Sequence, residues 1–489
     1  MAHLHLFRRV FYNTRSDFLR SLFALPIDNH WNCSFIVFNK VVIRITYTAM
    51  RTTLFLFFIL LVVASRAQSQ SRETVLLKNV TVIDGSGKPA QKNVNVLLRG
   101  GKIASISQRQ DSSVAKVIDL SGKTIMPLLT NVHAHLGMSK GTGVVPENFN
   151  REHIVKELKR YQSYGVGTVM SMGTDRELIF SIRDDSRAGK IPGAIVYTAG
   201  YGFRPPLGTR PPETGMEKIY RPSTPDEAVN NVIELARFKP DMIKIWVDDM
   251  GGTTEKIMPQ VYRAIISEAH KHGIRVAAHL YYLEDAHLLL DAGADIFAHS
   301  IRDKEVDDEL IAKMKSKGTI YVPTLTRDGY EFFYGTTPSW INDPFFKASL
   351  EPGVYEMITG EPYKNRILNS PHYQRNKDAY AMALKNLKKL YKGGVLVALG
   401  TDSGALPVRA QGFSEHLELQ LMVEAGLTPL EAITVATRNS SNALKLQQQG
   451  TLLPGMNADF IVLNANPEGN IRATRSIQAV WQNGVEVNP

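Results

Sequence analysis

Near both ends of the chain, apolar residues come in short alternating or doubled runs broken by turn residues. Val75-Leu76-Leu77, Val80-Thr81-Val82-Ile83 and Val94-Asn95-Val96-Leu97-Leu98 are separated by Asp84-Gly85-Ser86-Gly87 and followed by Arg99-Gly100-Gly101-Lys102. Rich in β-branched residues and punctuated by glycine, these runs predict strands. The pattern returns in Asp459-Phe460-Ile461-Val462-Leu463 and across residues 479–487. Two β-rich ends around a long middle predict one small β-sandwich built from residues 68–126 and 450–489.

The middle reads differently. Short apolar runs at 123–127, 166–170, 194–198, 242–247, 274–279, 295–299, 319–324 and 395–399 alternate with longer amphipathic stretches such as 152–164, 224–238, 257–272 and 283–292. Eight strands alternating with helices predict an α/β fold, a (β/α)8 TIM-type barrel over 127–449 with its active site at the C-terminal strand ends. A doubly wound open sheet is the rival topology, but no glycine-rich phosphate turn supports it. Between Thr324 and a helix near Asp378 lies one long connection of about 50 residues. It holds Tyr330, Phe332, Phe333, Tyr334, Trp340, Phe345 and Phe346. Its aromatics predict order, either as a lid over the pocket or packed against the barrel.

Met50-Arg51 followed by the apolar run from Leu54 to Ala64 has the layout of a secretory signal. Ser65-Arg66-Ala67 offers small residues for cleavage before Gln68, which predicts a periplasmic or secreted protein. The run is short for a membrane span; an anchor formed by residues 54–64 is the alternative. Residues 1–49 show no period, so Met50 reads as the true start. The one cysteine, Cys33, lies in that leader, so the mature chain has neither disulfides nor a cysteine nucleophile.

The formal charge of +10 changes little. Residues 1–67 hold eight basic side chains against two acidic ones, so six of the ten charges sit in the leader. The remaining four are spread without a basic run, which argues against nucleic-acid binding. Nothing in the pattern sets the oligomeric state, and a homo-oligomer is compatible with it.

The chemistry lies at the predicted strand ends. His133 and His135 close the first strand two residues apart, so both rings face one side and can reach one ion. His279 and His299 each end a strand, twenty residues apart, which leaves room for one helix between them. Asp402 follows Leu399-Gly400-Thr401 at the mouth of the eighth strand, where it can bind metal and relay a proton. Lys244 lies inside Met242-Ile243-Lys244-Ile245-Trp246. A charged lysine turned into a barrel is costly unless paired or chemically changed. Carbamylation by CO2 would make it an anion able to bridge two cations; pairing with Asp248 or Asp249 is the alternative. His153, His270, His272, His287 and His416 fall in helical stretches as packing or solvated residues, and His372 sits in the long connection.

In this order His133, His135, Lys244, His279, His299 and Asp402 resemble the ligand series of the amidohydrolase superfamily, over residues 74–487. Supporting segments are Asp241-Met242-Ile243-Lys244-Ile245, Gly400-Thr401-Asp402-Ser403, Glu424-Ala425-Gly426-Leu427-Thr428-Pro429 and Gly455-Met456-Asn457-Ala458-Asp459. The branch they look like is the imidazolonepropionase-like and Xaa-dipeptidase-like one with a carboxylated lysine. Two segments depart from the family pattern. Pro127-Leu128-Leu129-Thr130-Asn131 stands where Pro-Gly-Leu-Ile-Asp is usual, and Ala298-His299-Ser300 stands for Glu-His-Gly. The resemblance implies two divalent metals, zinc by preference. His133, His135 and Asp402 would hold one and His279 with His299 the other, with carbamylated Lys244 and a hydroxide between them. Asp402 would carry a proton from the hydroxide to a leaving amine. The expected reaction is hydrolysis of a small amide, dipeptide, N-acyl amino acid or cyclic amide. His279 is followed by Leu280-Tyr281-Tyr282 and not by the acid of deaminases, which points away from nucleobase deamination. Tyr281, Tyr282, Arg302 and Tyr321 are candidates to orient substrate; Arg302 would meet a carboxylate or else pair with Asp303 or Glu305. The rivals are a mononuclear site with unmodified lysine, ester, lactone or phosphotriester hydrolysis, and a scaffold without catalysis.

Overall fold

Strands from both ends of the chain join in one eight-stranded sheet. The computed structural model describes residues 73–109, 116–207 and 219–487. The leader, the signal segment and Cys33 lie outside the described residues. Among the described residues, no helix is long and apolar enough to cross a membrane.

The terminal sheet runs in the order Val485–Val487, Ile477–Gln482, Phe460–Leu463, Thr124–Pro127, Val75–Val82, Gln91–Arg99, Lys102–Ser107. Lys116–Asp119 pairs parallel to Val75–Val82. The edge strand Lys102–Ser107 is tied to the segment before Phe460–Leu463: Ile103 N donates to Met456 O at 2.9 Å and Ala458 N to Gly101 O at 2.9 Å. The sheet wraps its own apolar cluster as a β-sandwich. Side chains two apart share a face, and the sequence uses both faces. Phe460 and Val462 enter the sandwich core with Val96, Ile125 and Trp481, whereas Ile461 and Leu463 join the main core shared with the barrel.

One sequence expectation changes here. Residues 123–127 do not form the first barrel strand; Thr124–Pro127 pairs antiparallel with Phe460–Leu463. Ile125 faces the sandwich core and Met126 the main core. Burial on both faces gives the continuous apolar run typical of a barrel strand, so local pattern alone could not tell the two sheets apart. The first barrel strand is Leu129–Ala134.

From there the parallel strands follow as Val166–Ser171, Ile195–Thr198, Ile243–Trp246, Val276–His279, Ile296–Ala298 and Ile320–Val322. The third and fourth strands meet through Asp241 N donating to Thr198 O at 2.9 Å and a parallel bridge between Phe203 and Ile245. The eighth position is filled by a segment around Val397 with one bridge to Tyr321. Its Leu399 O accepts from Val132 N at 2.8 Å, which closes the ring onto the first strand. Helices Arg151–Ser163, Pro225–Ala236, Pro259–Lys271 and Leu283–Ala292 lie close to the predicted stretches. Asn150 and Thr224 cap the first two by accepting the N–H three residues on.

Alternation in the fourth strand matters most for function. Ile243 and Ile245 pack outward in the main core, while Met242 joins the barrel-interior cluster with Val132, Ala277 and Ile320. Lys244 shares that inward face, one layer above Met242. The long connection is not a free lid. It forms helices Leu325–Tyr330, Pro344–Ser349, Val354–Thr359 and Glu361–Leu368 before the long helix Tyr373–Lys392. Trp340 and Phe346 pack on Phe413 with ring centroids 5.2 and 4.8 Å apart, so its aromatics anchor the segment to the barrel.

Candidate metal centre

Side chains from strands one, four, five, six and eight converge at one end of the barrel. The first strand carries a register shift between Asn131 and Ala134, and such bulges re-aim side chains. His133 and His135 end with ring centroids 5.6 Å apart. Asp402 Oδ1 lies 2.7 Å from His135 Nε2 and 3.3 Å from His133 Nε2. His299 bridges to the fifth strand, with its ring centroid 4.5 Å from that of His133 and 4.3 Å from that of His279. All five are buried. His133, His135 and Asp402 present ligand atoms within 4.8 Å of one another, a group that could hold an ion.

The far ring nitrogens are held by the protein. His135 Nδ1 meets Thr174 Oγ1 at 2.6 Å, His299 Nδ1 meets Thr324 Oγ1 at 2.7 Å, and His279 Nε2 meets Asp248 Oδ2 at 3.0 Å. Such contacts fix the ring and its tautomer, the usual support of a metal-binding histidine. Replacing Asp248 with asparagine is expected to weaken metal affinity by about 10–100-fold, read by competition with a chelator. An unchanged affinity would show that His279 needs no such support.

Backbone strain gathers at the same place. His299, Thr324 and Asp402 have φ of 87°, 55° and 58°, a region that costs non-glycine residues on the order of 1 kcal/mol or more. Buried Glu418 holds the Thr324 turn by accepting from Leu325 N and Thr326 N, each at 2.7 Å. Asn131, a departure from the family pattern, ties strand one to strand eight: its Oδ1 accepts from His133 N at 2.9 Å, and its Nδ2 donates to Thr401 Oγ1 at 2.8 Å. Ser300, the other departure, donates to Pro323 O at 2.8 Å and so braces the turn after strand six.

Electrostatics favour ligand forms. Burial lowers the pKa of His133 and His299 well below the ordinary value, and that of His279 to about 3. All three are then neutral near pH 7, the form that binds metal. Burial works to raise the Asp402 pKa, but the Arg409 guanidinium and the two histidines hold it well below the carboxylate range. Arg409 Nη1 donates to Asp402 Oδ2, and its Nη2 lies 3.4 Å from Glu331.

Lys244 is the anomaly of the cluster. It is fully buried, and its Nζ has no hydrogen-bond partner among the described residues. Neither Asp248 nor Asp249 pairs with it; Asp248 is taken by His279, and Asp249 accepts from Tyr282 OH at 2.9 Å. Gly173 gives its stem room, since a Cβ there would lie 2.7 Å from Lys244 Cβ. Burial lowers the Lys244 pKa to about 7, against an opposing pull from Asp402. The unfolded chain would therefore bind more protons between pH 7 and 10.5, and stability rises with pH across that window. Metal-free protein is expected to gain stability from pH 7 to 10 relative to Lys244→Met. Parallel unfolding curves for the two would contradict a buried, unpaired amine.

Three orphaned buried atoms, His133 Nδ1, His279 Nδ1 and Lys244 Nζ, thus lie in one cluster. Orphans of this kind call for an absent partner, and a nitrogen- and oxygen-rich set of this chemistry fits a divalent metal.

A cavity of about 270 Å³ adjoins the cluster at Asp248. Tyr281 and Arg302 line it, with the Arg302 guanidinium 4.5 Å from the Tyr281 ring centroid. The other two substrate candidates do not line it. Tyr321 is a core residue whose hydroxyl accepts from Ile301 N at 3.2 Å, and Tyr282 turns to Asp249. Arg302 pairs with neither Asp303 nor Glu305; its Nε lies 3.4 Å from Asp328 and its Nη1 donates to Ser300 O. Sequence reading missed Arg327, Asp328, Arg375 and Arg409, and took Asp248 only as a possible partner of Lys244. Asp248 had a local signal, two residues beyond the fourth strand; the others sit on connections whose return to the rim no short pattern reveals. His153 and His416 are buried packing residues, whereas His372 reaches the cavity wall.

The model of the amidohydrolase family matches residues 124–487. The chain belongs to the amidohydrolase family. Among curated relatives of this amidohydrolase, imidazolonepropionase of Deinococcus deserti is 39% identical over 106 residues, 20% of this chain and 26% of that protein. The 5-methylthioadenosine/S-adenosylhomocysteine deaminase of Carboxydothermus hydrogenoformans is 21% identical over 418 residues, 80% of this chain and 85% of that one. The chain thus spans about a quarter of the first relative and most of the second. A solved Xaa-Pro dipeptidase with bound methionine superposes with a TM-score of 0.67 at 22% identity, covering 85% of this chain and all of that one. That likeness shows the shared TIM-barrel fold.

Proposed function

We propose that this amidohydrolase is a binuclear zinc enzyme that cleaves a small amide, dipeptide, N-acyl amino acid or cyclic amide, with Lys244 carbamylated at the centre. The observation that supports it most is the unpartnered, fully buried Lys244 Nζ among four histidines and Asp402. His133, His135 and Asp402 would hold one ion, and His279 with His299 the other. The neutral Lys244 amine would add to CO2, forming an N–C bond and releasing one proton, and the resulting carbamate would be an anionic ligand for the metal site. The metals, when bound, supply a water deprotonated near neutral pH and polarise the scissile carbonyl. Asp402, held ionised by Arg409, takes up a proton and returns it to the leaving amine. His279 and His299 stay neutral, and they and His135 are fixed by their outer partners. The absence of an acid in Leu280-Tyr281-Tyr282 favours amide hydrolysis over deamination. We also read the chain as exported after cleavage near Ala67, on the charge-then-apolar pattern of residues 50–64.

A mononuclear centre is the second reading, favoured by the tight grouping of His133, His135 and Asp402 alone. To test the reaction, metal-loaded protein is screened against dipeptides, N-acyl amino acids and cyclic amides, with esters and lactones as controls. Amide cleavage abolished by a chelator and restored by zinc is the expected outcome. Fully loaded protein that cleaves only esters or lactones, or nothing, would overturn the proposal.

A further inference from the structure

Three arginines and three acids line the cavity beside the metal cluster, but two of the acids have partners of their own: Asp248 meets His279 and Glu331 lies 3.4 Å from Arg409. The arginines are Arg302, Arg327 and Arg375. Asp328 serves two of them, lying 3.4 Å from Arg302 Nε and 3.1 Å from Arg327 Nη1. Asp248 on the same wall is committed to His279. Arg375 is left over: no carboxylate pairs with it among the described residues. It projects from the helix Tyr373–Lys392, whose residues Arg375, Asn376 and Ala379 share the cavity face at helical spacing with the N-cap His372. Its guanidinium lies over the backbone of Gly251, where a Cβ would come within 2.2 Å of Nη1. Gly251, with φ of 76°, opens the slot in which that guanidinium rests.

An open, charged cavity with one unmatched guanidinium selects an anion with planar, paired oxygens. We propose that this cavity takes the amino-acid half of the substrate, with Arg375 as the specificity-determining residue that grips its carboxylate and Arg302 behind it. The inference rests on the amide-hydrolase reading, whose dipeptides and N-acyl amino acids carry their acid on the amine half. It goes beyond that reading by placing selection for the free acid on the long insertion and not on a barrel strand. Neutral amides of similar size would then bind weakly.

The test is equilibrium binding of L-phenylalanine and of L-phenylalaninol to the metal-loaded chain. The pair differs only by carboxylate against alcohol and has no bond to cleave. Wild-type protein is expected to prefer the acid by about tenfold or more. Arg375→Met, a change at an exposed side chain, is expected to reduce that ratio to about twofold or less. Gly251→Ala, which pushes the guanidinium out of its slot, should reduce it partway. Equal or undetectable binding of the two by wild type, or an undiminished ratio in Arg375→Met, overturns the inference. The ratio needs no turnover, so a preference for the acid in a protein that cleaves no amide would sink the hydrolase reading alone. Amide cleavage without the preference would sink this one alone.

Discussion

Replacing Asp402 with asparagine is expected to lower kcat for amide hydrolysis about 10³-fold, with KM changed far less. The side chain keeps its size and one oxygen but loses the basic carboxylate. Arg409 and the two histidines now hold that carboxylate ionised against the pull of burial. A carboxylate that only binds metal would instead lose affinity and recover its rate when metal is added in excess. Steady-state kinetics at saturating zinc therefore separates the roles. A kcat within about threefold of wild type would remove Asp402 as the proton carrier.

Lys244→Met is expected to move activity and stability in opposite directions. Activity should fall about 10²-fold or more, because the proposed second ion would lose the anionic ligand that a carbamylated Lys244 supplies. Metal-free stability should rise by about 1–3 kcal/mol, because an unpaired buried amine is replaced by an apolar chain of similar length. Few substitutions at a buried position stabilise a protein. A gain of this kind at a residue whose loss abolishes function is the mark of a group kept for chemistry. Turnover assays and urea unfolding of the metal-stripped protein read the two effects. Loss of stability together with retained activity would show that Lys244 serves packing alone.

Much of this candidate site was legible in the sequence because its candidate ligands sit where short patterns are most informative. His279 and His299 end apolar runs, Asp402 follows another, and His133 and His135 are spaced for one face. The alternation Met242, Lys244, Trp246 marks the lysine as inward-facing without further help. Other features could not be read in this way. Residues 123–127 look like a barrel strand because they are buried on both faces, yet their partner lies more than 300 residues away, at Phe460–Leu463. The segment around Val397 has the apolar run of a strand but forms only one bridge to Tyr321. The residues that hold the ligands in place, Asp248, Thr324, Glu418 and Arg409, act through contacts made by the fold and not by neighbours in the chain. The aromatic connection looked equally like a lid or a packed insertion. Trp340 and Phe346 seated on Phe413 decide for packing, while the same insertion carries Arg375 to the cavity.

The central claim is that these side chains hold two ions with a carbamate on Lys244. Elemental analysis of purified protein equilibrated with zinc, in the presence and absence of bicarbonate, tests it most directly. Two equivalents of zinc per chain with bicarbonate, falling toward one without it and in Lys244→Ala, is the predicted result. One equivalent, unchanged by bicarbonate and by Lys244→Ala, would contradict it.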